Sequence, residues 1–194
     1  VDKERIPKNG VAKIRIWQSN IQKTIIAHVQ IQEYEVLESG DFELDGVTFP
    51  SAEVKIDFMQ PVDAKDALFP TGNLIDQLDV PSLGSVAATL INAGIPSIFV
   101  KASDLGYSGI ESQQDINNDP VALNKFETIR VYGALKMGII NNLEEANEQA
   151  HTPKIIFISA AQSYTASSGK LVSKDQISLC VRALSMGKLH HAIM

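Results

Sequence analysis

The residues best suited to chemistry in this sequence are a run of four near its end: Ser185, Met186, Gly187 and Lys188. Apolar residues precede the run at helical spacing, namely Ile177, Cys180, Val181 and Leu184, and they resume after it. The run is therefore predicted to open a helix. Free backbone N–H groups, the positive end of the helix dipole and a lysine ammonium would together bind a carboxylate or phosphate. The alternative is a kink between two helices, with Ser185 as an N-cap.

A second polar run, Thr71, Gly72 and Asn73, follows Pro70. It offers a hydroxyl, an amide and a glycine that lets backbone N–H groups approach a ligand closely. An ordinary surface turn accounts for the same residue types. Both interpretations stay open on the sequence alone.

Several common catalytic patterns do not occur. The sequence has no G-x-S-x-G elbow, no phosphate-binding G-x-x-x-x-G-K-[ST] and no G-x-G-x-x-G. None of the four histidines forms an H-E-x-x-H pattern, so no metal site is expected. The single cysteine, Cys180, lies on an apolar stripe and is interpreted as a core residue.

Composition narrows the class of protein. The 194 residues are 44% hydrophobic and 21% charged, which is typical of a globular chain. A net charge of −6 disfavours a nucleic-acid or anionic-membrane surface. No apolar stretch approaches the roughly 20 residues of a membrane helix, and residues 1–10 lack a signal-peptide core. One cysteine excludes an intrachain disulfide and favours a reducing compartment, the cytoplasm.

The elements that must position these residues follow from periodicity. Alternation over 13–31 predicts a hairpin that turns at Ser19 and Asn20. Further strands are predicted at 52–58, 85–91, 97–101 and 155–158, with 61–84 as a loop. Asp119 and Pro120 predict the start of a helix over 119–138, a capping box begins another over 173–184, and a third covers 188–194. Strands and helices without regular alternation indicate the α+β class.

Several stretches together resemble the PrpF family. They are FPTGN at 69–73, INAGIP with its continuation at 91–106, FETIRVYGALKMG at 126–138, RALSMGKLHHAIM at 182–194 and, more loosely, residues 10–57. The resemblance implies a diaminopimelate-epimerase-like fold of two pseudo-symmetric domains, each a β-rich roll around a central helix. On that scheme residues 1–49 are the end of domain 1. Residues 50–194 are the first part of domain 2 and stop inside its central helix.

The resemblance also implies an activity. PrpF proteins isomerise unsaturated carboxylates without a cofactor, as in the cis-trans isomerisation of 2-methylaconitate during propionate breakdown by the methylcitrate cycle. Substrate would bind in a cleft between the domains, near Ser185 to Lys188 and also near Asn92 and Gly94. The resemblance also implies that Thr71 to Asn73 lie at this cleft. The family's lysine and its Asn-Cys-Gly-Asn cysteine are not matched, so no catalytic residue is assigned.

The chain is accordingly predicted to be part of a longer protein and inactive alone. Its expected partners are a small tricarboxylate substrate, the remainder of its own polypeptide and an aconitase-like dehydratase. One alternative is a non-catalytic accessory protein for that dehydratase. Others are a methylitaconate isomerase, an oxalomesaconate tautomerase or, on the same fold, an amino-acid epimerase. For an epimerase, the resemblance implies a second cysteine where this chain has Met186 or its neighbours in the Ser-Met-Gly-Lys run.

Overall fold

The chain forms two compact units, Val1–Asp63 and Ala64–Met194, in a computed structural model that describes residues 5–19, 22–44, 47, 49–59 and 67–190. The division falls later than the predicted boundary at 49/50. The reason is that a strand at Val54–Phe58 pairs with the first unit's central strand. Assignment of 1–49 and 50–194 to two domains of a longer protein stays a prediction.

The first unit is a small antiparallel sheet. Its strands are β1 (Gly10–Gln18), β2 (Lys23–Gln32), β3 (Glu35–Val36) and β4 (Val54–Phe58). β2 is central, with β1 along one edge and β4 and β3 along the other. The predicted hairpin over 13–31 is confirmed, although Asn20 in its turn lies outside the described residues.

The alternation that predicts this sheet gives it two different faces. One face carries apolar side chains that stay partly exposed, including Ile14, Ile56 and Phe58. On the other face His28 Nε2 lies 2.7 Å from Asp57 Oδ2, and Lys55 Nζ lies 3.2 Å from Asp57 Oδ1. The hydrogen bond from His28, followed by that from Lys55, lowers the pKa of Asp57.

The second unit is built on a six-stranded sheet. Its strands in chain order are β5 (Asp76–Val80), β6 (Gly84–Asn92), β7 (Pro96–Lys101), β8 (Lys154–Ala160), β11 (Leu179–Ser185) and β12 (Lys188–Leu189). Their spatial order is β12-β11-β8-β7-β6-β5. Only β7 and β8 are parallel among these neighbours, and the other pairs are antiparallel. β9 (Tyr164–Thr165) and β10 (Leu171–Val172) form a separate short ladder.

Two helices, α1 (Gln113–Asn117) and α2 (Pro120–Lys136), lie in the connection between the parallel strands β7 and β8. The Asp119 carboxylate accepts the Val121 N–H, and Pro120 occupies the first helical position, where its missing N–H costs nothing. The helix predicted over 119–138 is thereby confirmed. Among the described residues, no helix is both long enough and apolar enough to cross a bilayer.

The core lies between α2 and the sheet. The rings of Phe126 on α2 and Phe157 on β8 stack with centroids 5.0 Å apart, and Tyr107 stacks on Phe126 at 5.2 Å. Burying each phenylalanine contributes about 1.5–3 kcal/mol. Closer to the end of α2, Gly133 passes over Ile98 so closely that a Cβ there would lie 2.2 Å from the Ile98 Cδ1. A small residue at 133 is what allows this close helix-sheet contact.

Arg130 fixes the segment that leads into β8. Its side chain is 2% exposed and forms an ion pair with Glu127 at 2.7 Å. Its other N–H groups donate to the carbonyl oxygens of Ala146, Gln149 and Thr152 at 3.0–3.1 Å. One buried guanidinium therefore satisfies carbonyl groups along a connection that has little regular structure of its own.

Three element predictions are wrong. Residues 179–185 form β11 instead of a helix, because the strand is paired on both edges by β8 and β12 and its apolar residues do not alternate cleanly. The capping box of Ser173 and Gln176 is real but closes a single 3-10 turn. Residues 188–189 form β12, and 191–194 lie outside the described residues. β5 was hidden in a predicted loop because a buried Asp76 occupies an inward position.

The remaining strand predictions are confirmed with small changes in their bounds. Strands predicted at 52–58, 85–91, 97–101 and 155–158 correspond to β4, β6, β7 and β8. Mostly antiparallel pairing, with the α-helices of the described residues confined to one connection, places the chain in the α+β class as expected.

Candidate active site

One end of the six-stranded sheet brings most of the candidate residues together. β6 ends there at Asn92, β7 begins at Pro96, β8 begins at Lys154 and β11 ends at Ser185. These termini share one end because β7 and β8 run in parallel while β6 and β11 run against them. The 92–96 and 185–188 turns therefore lie at the same end of the sheet.

The run Ser185 to Lys188 is a two-residue hairpin turn between β11 and β12. Ser185 pairs with Lys188, and Met186 and Gly187 have φ values of 49° and 71°. Two successive positive φ values are those of a type I′ turn, which suits the twist of a hairpin and strongly favours glycine at the second position. The predicted helix start is therefore wrong, and no helix dipole acts here. The groups left to bind an anion are the Lys188 ammonium and the Ser185 hydroxyl.

The hairpin is held in place by α1. The Asn117 side chain accepts the Leu189 N–H at 2.8 Å and donates to the Leu189 carbonyl at 3.0 Å. Lys188 Nζ also reaches the Asn117 carbonyl oxygen at 3.4 Å. Because β12 is only two residues long, these bonds to α1 supply much of its anchorage.

Ser185 is the most enclosed polar group of the turn. It is 4% exposed, and its hydroxyl oxygen accepts a hydrogen bond from Lys154 Nζ on β8. Its carbonyl oxygen lies 3.4 Å from His190 Nε2. Its neighbour Met186 is exposed, so the turn presents an apolar side chain above a buried polar one.

Lys154 was not singled out from the sequence. Its side chain is half-buried, and burial lowers the pKa of its ammonium by disfavouring the charged form. Within the described parts of the chain, no carboxylate forms an ion pair with it. Its position as the first residue of a buried strand, directly after Pro153, is the only signal that the sequence offers.

These groups form a cross-strand row on the sheet face opposite α2. Ser185 pairs with Lys188, Ser97 pairs with Lys154, and the Leu184–Ile155 register continues to place Ser185 beside Lys154. Side chains of directly paired residues share a face. We call Lys188, Ser185, Lys154 and Ser97 the Lys-Ser row.

Asn92 and Gly94 lie in the β6–β7 turn at the same end of the sheet. Asn92 pairs with Pro96 and its N–H donates to the Leu68 carbonyl at 2.8 Å, while Gly94 has a φ of 120°. Three strand spacings separate β6 from β11, about 14 Å along the sheet. This is longer than the carbon chain of a small tricarboxylate, so contact of one ligand with both turns depends on the curvature of the sheet.

The polar groups of Thr71 and Asn73 are already engaged within the chain. Thr71 Oγ1 donates to one oxygen of the buried Asp76 carboxylate at 2.6 Å, and Asn73 Nδ2 donates to the other at 3.0 Å. Gly72 closes a turn by donating its N–H to the Phe69 carbonyl. This arrangement favours the alternative of a structural turn, and a substrate contact at 71–73 stays a prediction.

The described residues give little support to thiol chemistry or to metal binding. Cys180 is buried in β11, with its thiol 3.6 Å from the Gln162 carbonyl, as expected of a core residue. Among the described side chains, no group of three or more His, Cys, Asp or Glu is placed to hold a metal ion. Of the His190–His191 pair, only His190 is described.

The fold matches that of a known class of isomerases. The crystal structure of methylitaconate-delta-isomerase superposes with a TM-score of 0.81 at 29% sequence identity, covering 95% of this chain and 48% of that one. The architecture is thus the PrpF and diaminopimelate-epimerase-like α+β fold that the resemblance implies.

Sequence comparison gives the family directly. The PrpF protein family matches residues 1–194, and the chain belongs to that family. It is 60% identical to the 2-methyl-aconitate isomerase of Shewanella oneidensis and 57% identical to that of Cupriavidus necator, each over the full chain and 50% of the relative. It is 30% identical to the 3-methylitaconate isomerase of Eubacterium barkeri, over 93% of the chain and 48% of the relative. The chain thus spans about half the length of these relatives.

Proposed function

We propose that this chain supplies about half of a cofactor-independent isomerase that acts on 2-methylaconitate. The observation that carries the proposal is that the chain is much more similar to 2-methyl-aconitate isomerases than to isomerases of related acids. Two 2-methyl-aconitate isomerases are 60% and 57% identical to the chain, whereas the 3-methylitaconate and oxalomesaconate isomerases are 30% and 25% identical. These more distant activities are the alternatives within the same reaction class.

The chemistry required is the removal and return of a carbon-bound proton next to a carboxylate. A base takes the proton, and negative charge spreads into the carboxylate as an extended enolate. Reprotonation follows after rotation about the former double bond. Fixed N–H donors and cations aimed at the charged oxygens lower the barrier most. A lysine-rich site therefore suits the intermediate as well as the substrate.

Within this chain we assign carboxylate binding to the 185–188 turn. Lys188 would supply the positive charge, Ser185 a hydroxyl, and Met186 and Gly187 the backbone that positions them. Asn92 and Gly94 are proposed to line the substrate cleft that the family resemblance implies. Thr71, Gly72 and Asn73 are proposed to lie at the margin of that cleft. The general base is proposed to lie in the half of the longer protein that this chain does not include.

Solvent exchange tests the proposal. The full-length protein is incubated with 2-methylaconitate in deuterated water without any dehydratase, and the substrate is followed by NMR. We expect deuterium in recovered substrate and product, because the abstracted proton exchanges with solvent. The isolated 194-residue chain serves as the control and should give no exchange. Absence of deuterium with the full-length protein would contradict an isomerase and favour the accessory-protein alternative.

The proposal also covers the pathway, the protein partner and the cellular location. The reaction is placed in the methylcitrate cycle, the partner is an aconitase-like dehydratase, and the location is the cytoplasm. Their support is the family resemblance together with the acidic composition and single cysteine of the chain. Co-purification of the dehydratase with the tagged full-length protein would test the partner separately from the activity.

A further inference from the structure

A cavity of about 290 Å³ lies at the end of the six-stranded sheet where β6 begins. The ladder between β6 and β7 stops at Ala88 and Val100. Beyond it the chain stays with β8, because the Ala102 N–H donates to the Ile158 carbonyl oxygen at 2.8 Å, and then forms a 3-10 turn at Ser103–Leu105. In the described part of the chain, the start of β6 therefore has no strand neighbour on its β7 side. This part of β6 and the 3-10 turn both line the cavity.

The cavity wall combines apolar surface with two opposite charges. Leu83, Val86 and Leu105 supply the apolar surface, while Lys125 of α2 and Asp104 supply the charges. The Lys125 ammonium and the Asp104 carboxylate face the same space, yet they form no ion pair with each other. A wall of this kind suits a ligand that brings an anion to Lys125, a cation to Asp104 and an apolar body between them.

Both charged groups keep hydrogen-bonding capacity for a ligand. Lys125 Nζ donates to the Leu105 carbonyl oxygen at 3.0 Å and lies 4.9 Å from the centroid of the Tyr107 ring. An ammonium has three N–H donors, so a donor remains available. Asp104 Oδ1 accepts the Ser103 hydroxyl at 3.1 Å, which leaves Oδ2 as an acceptor. Because these contacts already order the two side chains, binding a ligand there costs little further side-chain entropy.

We propose that this cavity binds a small amino acid with an apolar side chain. Its carboxylate would lie on Lys125, its ammonium group on Asp104 and its side chain against Leu83, Val86 and Leu105. The volume is near the lower end of the range for small-molecule sites, about 300–1,000 Å³, and so suits a ligand of this size. A simple carboxylate fits less well, because Asp104 would face it with a like charge.

This site is separate from the candidate active site and does not depend on the proposed function. β6 runs from the cavity at Ser85 to the 92–96 turn, and these two ends are about 24 Å apart along the strand. One small ligand cannot reach both. The two proposals are therefore tested by different measurements on the same protein.

The test uses three probes on the full-length protein that share one apolar body. L-Leucine carries both charged groups, 4-methylpentanoate lacks the ammonium group and 3-methylbutylamine lacks the carboxylate. In NMR titrations we expect a Kd of about 0.1–1 mM for leucine and about 10-fold weaker binding of each singly charged probe. Equal affinity for leucine and either probe, or no leucine binding at about 10 mM, would overturn the proposal.

Variants locate the bound leucine. Lys125→Met should weaken leucine binding about 10-fold, whereas Lys136→Met, which changes an exposed lysine of the same helix, should leave the Kd unchanged. Asp104→Asn should remove the preference for leucine over 4-methylpentanoate, because the ammonium group loses its counter-charge. Lys188→Met, at the candidate active site, should not affect leucine. If only Lys188→Met weakened binding, leucine would lie in the candidate active site and the assignment would be wrong.

A measurement on the unmodified protein covers the case in which Lys125→Met fails to fold. The methyl groups of bound leucine should give NOEs to the methyl groups of Leu83, Val86 and Leu105, which line the cavity. NOEs confined to other methyl groups would overturn the site. Turnover of 2-methylaconitate, measured in parallel, tests only the proposed function, and its absence would leave the leucine result unchanged.

Discussion

The side chain of Asn117 pairs with both backbone groups of Leu189, accepting its N–H at 2.8 Å and donating to its carbonyl at 3.0 Å. A single amide thus imitates a strand neighbour at the outer edge of β12. The consequence is that the 185–188 turn is positioned by α1 as well as by β11.

Replacing Asn117 should loosen the hairpin. Asn117→Ala removes both hydrogen bonds to Leu189, and we expect a loss of about 1–2 kcal/mol in the free energy of unfolding. Amide hydrogen exchange should become faster at Leu189. Asn124, exposed on α2, provides the control, since Asn124→Ala should leave that amide unchanged. Equal exchange rates at Leu189 in the two variants would show that Asn117 does not brace the turn.

Replacing Arg130 should affect the approach to β8. Arg130→Met leaves the carbonyl oxygens of Ala146, Gln149 and Thr152 without their donor, and we expect roughly 3 kcal/mol of destabilisation in urea unfolding. Glu127→Gln removes the ion pair but keeps those carbonyl bonds. Since the Glu127 side chain is 41% exposed, this control should cost under about 1 kcal/mol. Similar destabilisation by the two variants would instead show that the ion pair, which both remove, is the main contribution.

The contact between Gly133 and Ile98 should appear as coupling between two substitutions. A Cβ at 133 would lie 2.2 Å from Ile98 Cδ1, so Gly133→Ala overpacks the core at about 1–3 kcal/mol, partly offset by better helix propensity. Ile98→Val removes that terminal methyl and alone costs about 0.5–1.5 kcal/mol. We expect the double variant to be more stable than the sum of the single changes predicts. Strict additivity in a double-mutant cycle would argue against the close approach.

The turn itself contains a residue that is poorly suited to its conformation. Met186 has a φ of 49° and is exposed, whereas asparagine followed by glycine is the preferred pair for a type I′ turn. Met186→Asn should therefore stabilise the chain by about 1 kcal/mol, seen as a Tm increase of about 2–4 °C. Met186→Leu keeps the unfavourable backbone conformation and should leave the Tm unchanged. A Tm that falls in the asparagine variant would contradict the turn geometry.

In the first unit, acid stability should depend on His28. Hydrogen bonds from His28 and Lys55 lower the pKa of Asp57, so the native state holds its proton less tightly than the unfolded chain does. The stabilisation is present above the ordinary aspartate range near pH 4 and is lost as pH falls through the lower native pKa. In His28→Ala, carboxyl NMR titration should show the Asp57 pKa rising towards that range. Replacing the exposed His151 should not move it.

Local patterns predicted a good part of the fold. The β1–β2 hairpin and α2 were readable because alternation over 13–31 and the Asp119–Pro120 helix start are each short-range signals. β11 was misread because Cys180 and Leu184 satisfy helical spacing as well as they satisfy a strand paired on both edges. Only pairing with β8, a long-range property, decides between the two.

The predicted structure of the 185–188 run is wrong, and its role in binding stays a prediction. Ser185 to Lys188 form a hairpin turn, so no helix dipole acts there, and side-chain groups would have to bind an anion. Lys154 could not be found from sequence, because it is 31 residues from Ser185 and only the register of two strands brings them together. The bonds of Thr71 and Asn73 to Asp76 were equally hidden, since β5 itself was not recognised.

The burial of Cys180 has a practical consequence. It is the sole thiol of the chain and is 2% exposed, at a point where β11 pairs with Ser159 of β8. A thiol-specific dye can therefore label the native protein only when a local opening exposes this side chain. The labelling rate measures how often β11, the strand that ends at Ser185, opens in this way, and the natural sequence supplies the probe.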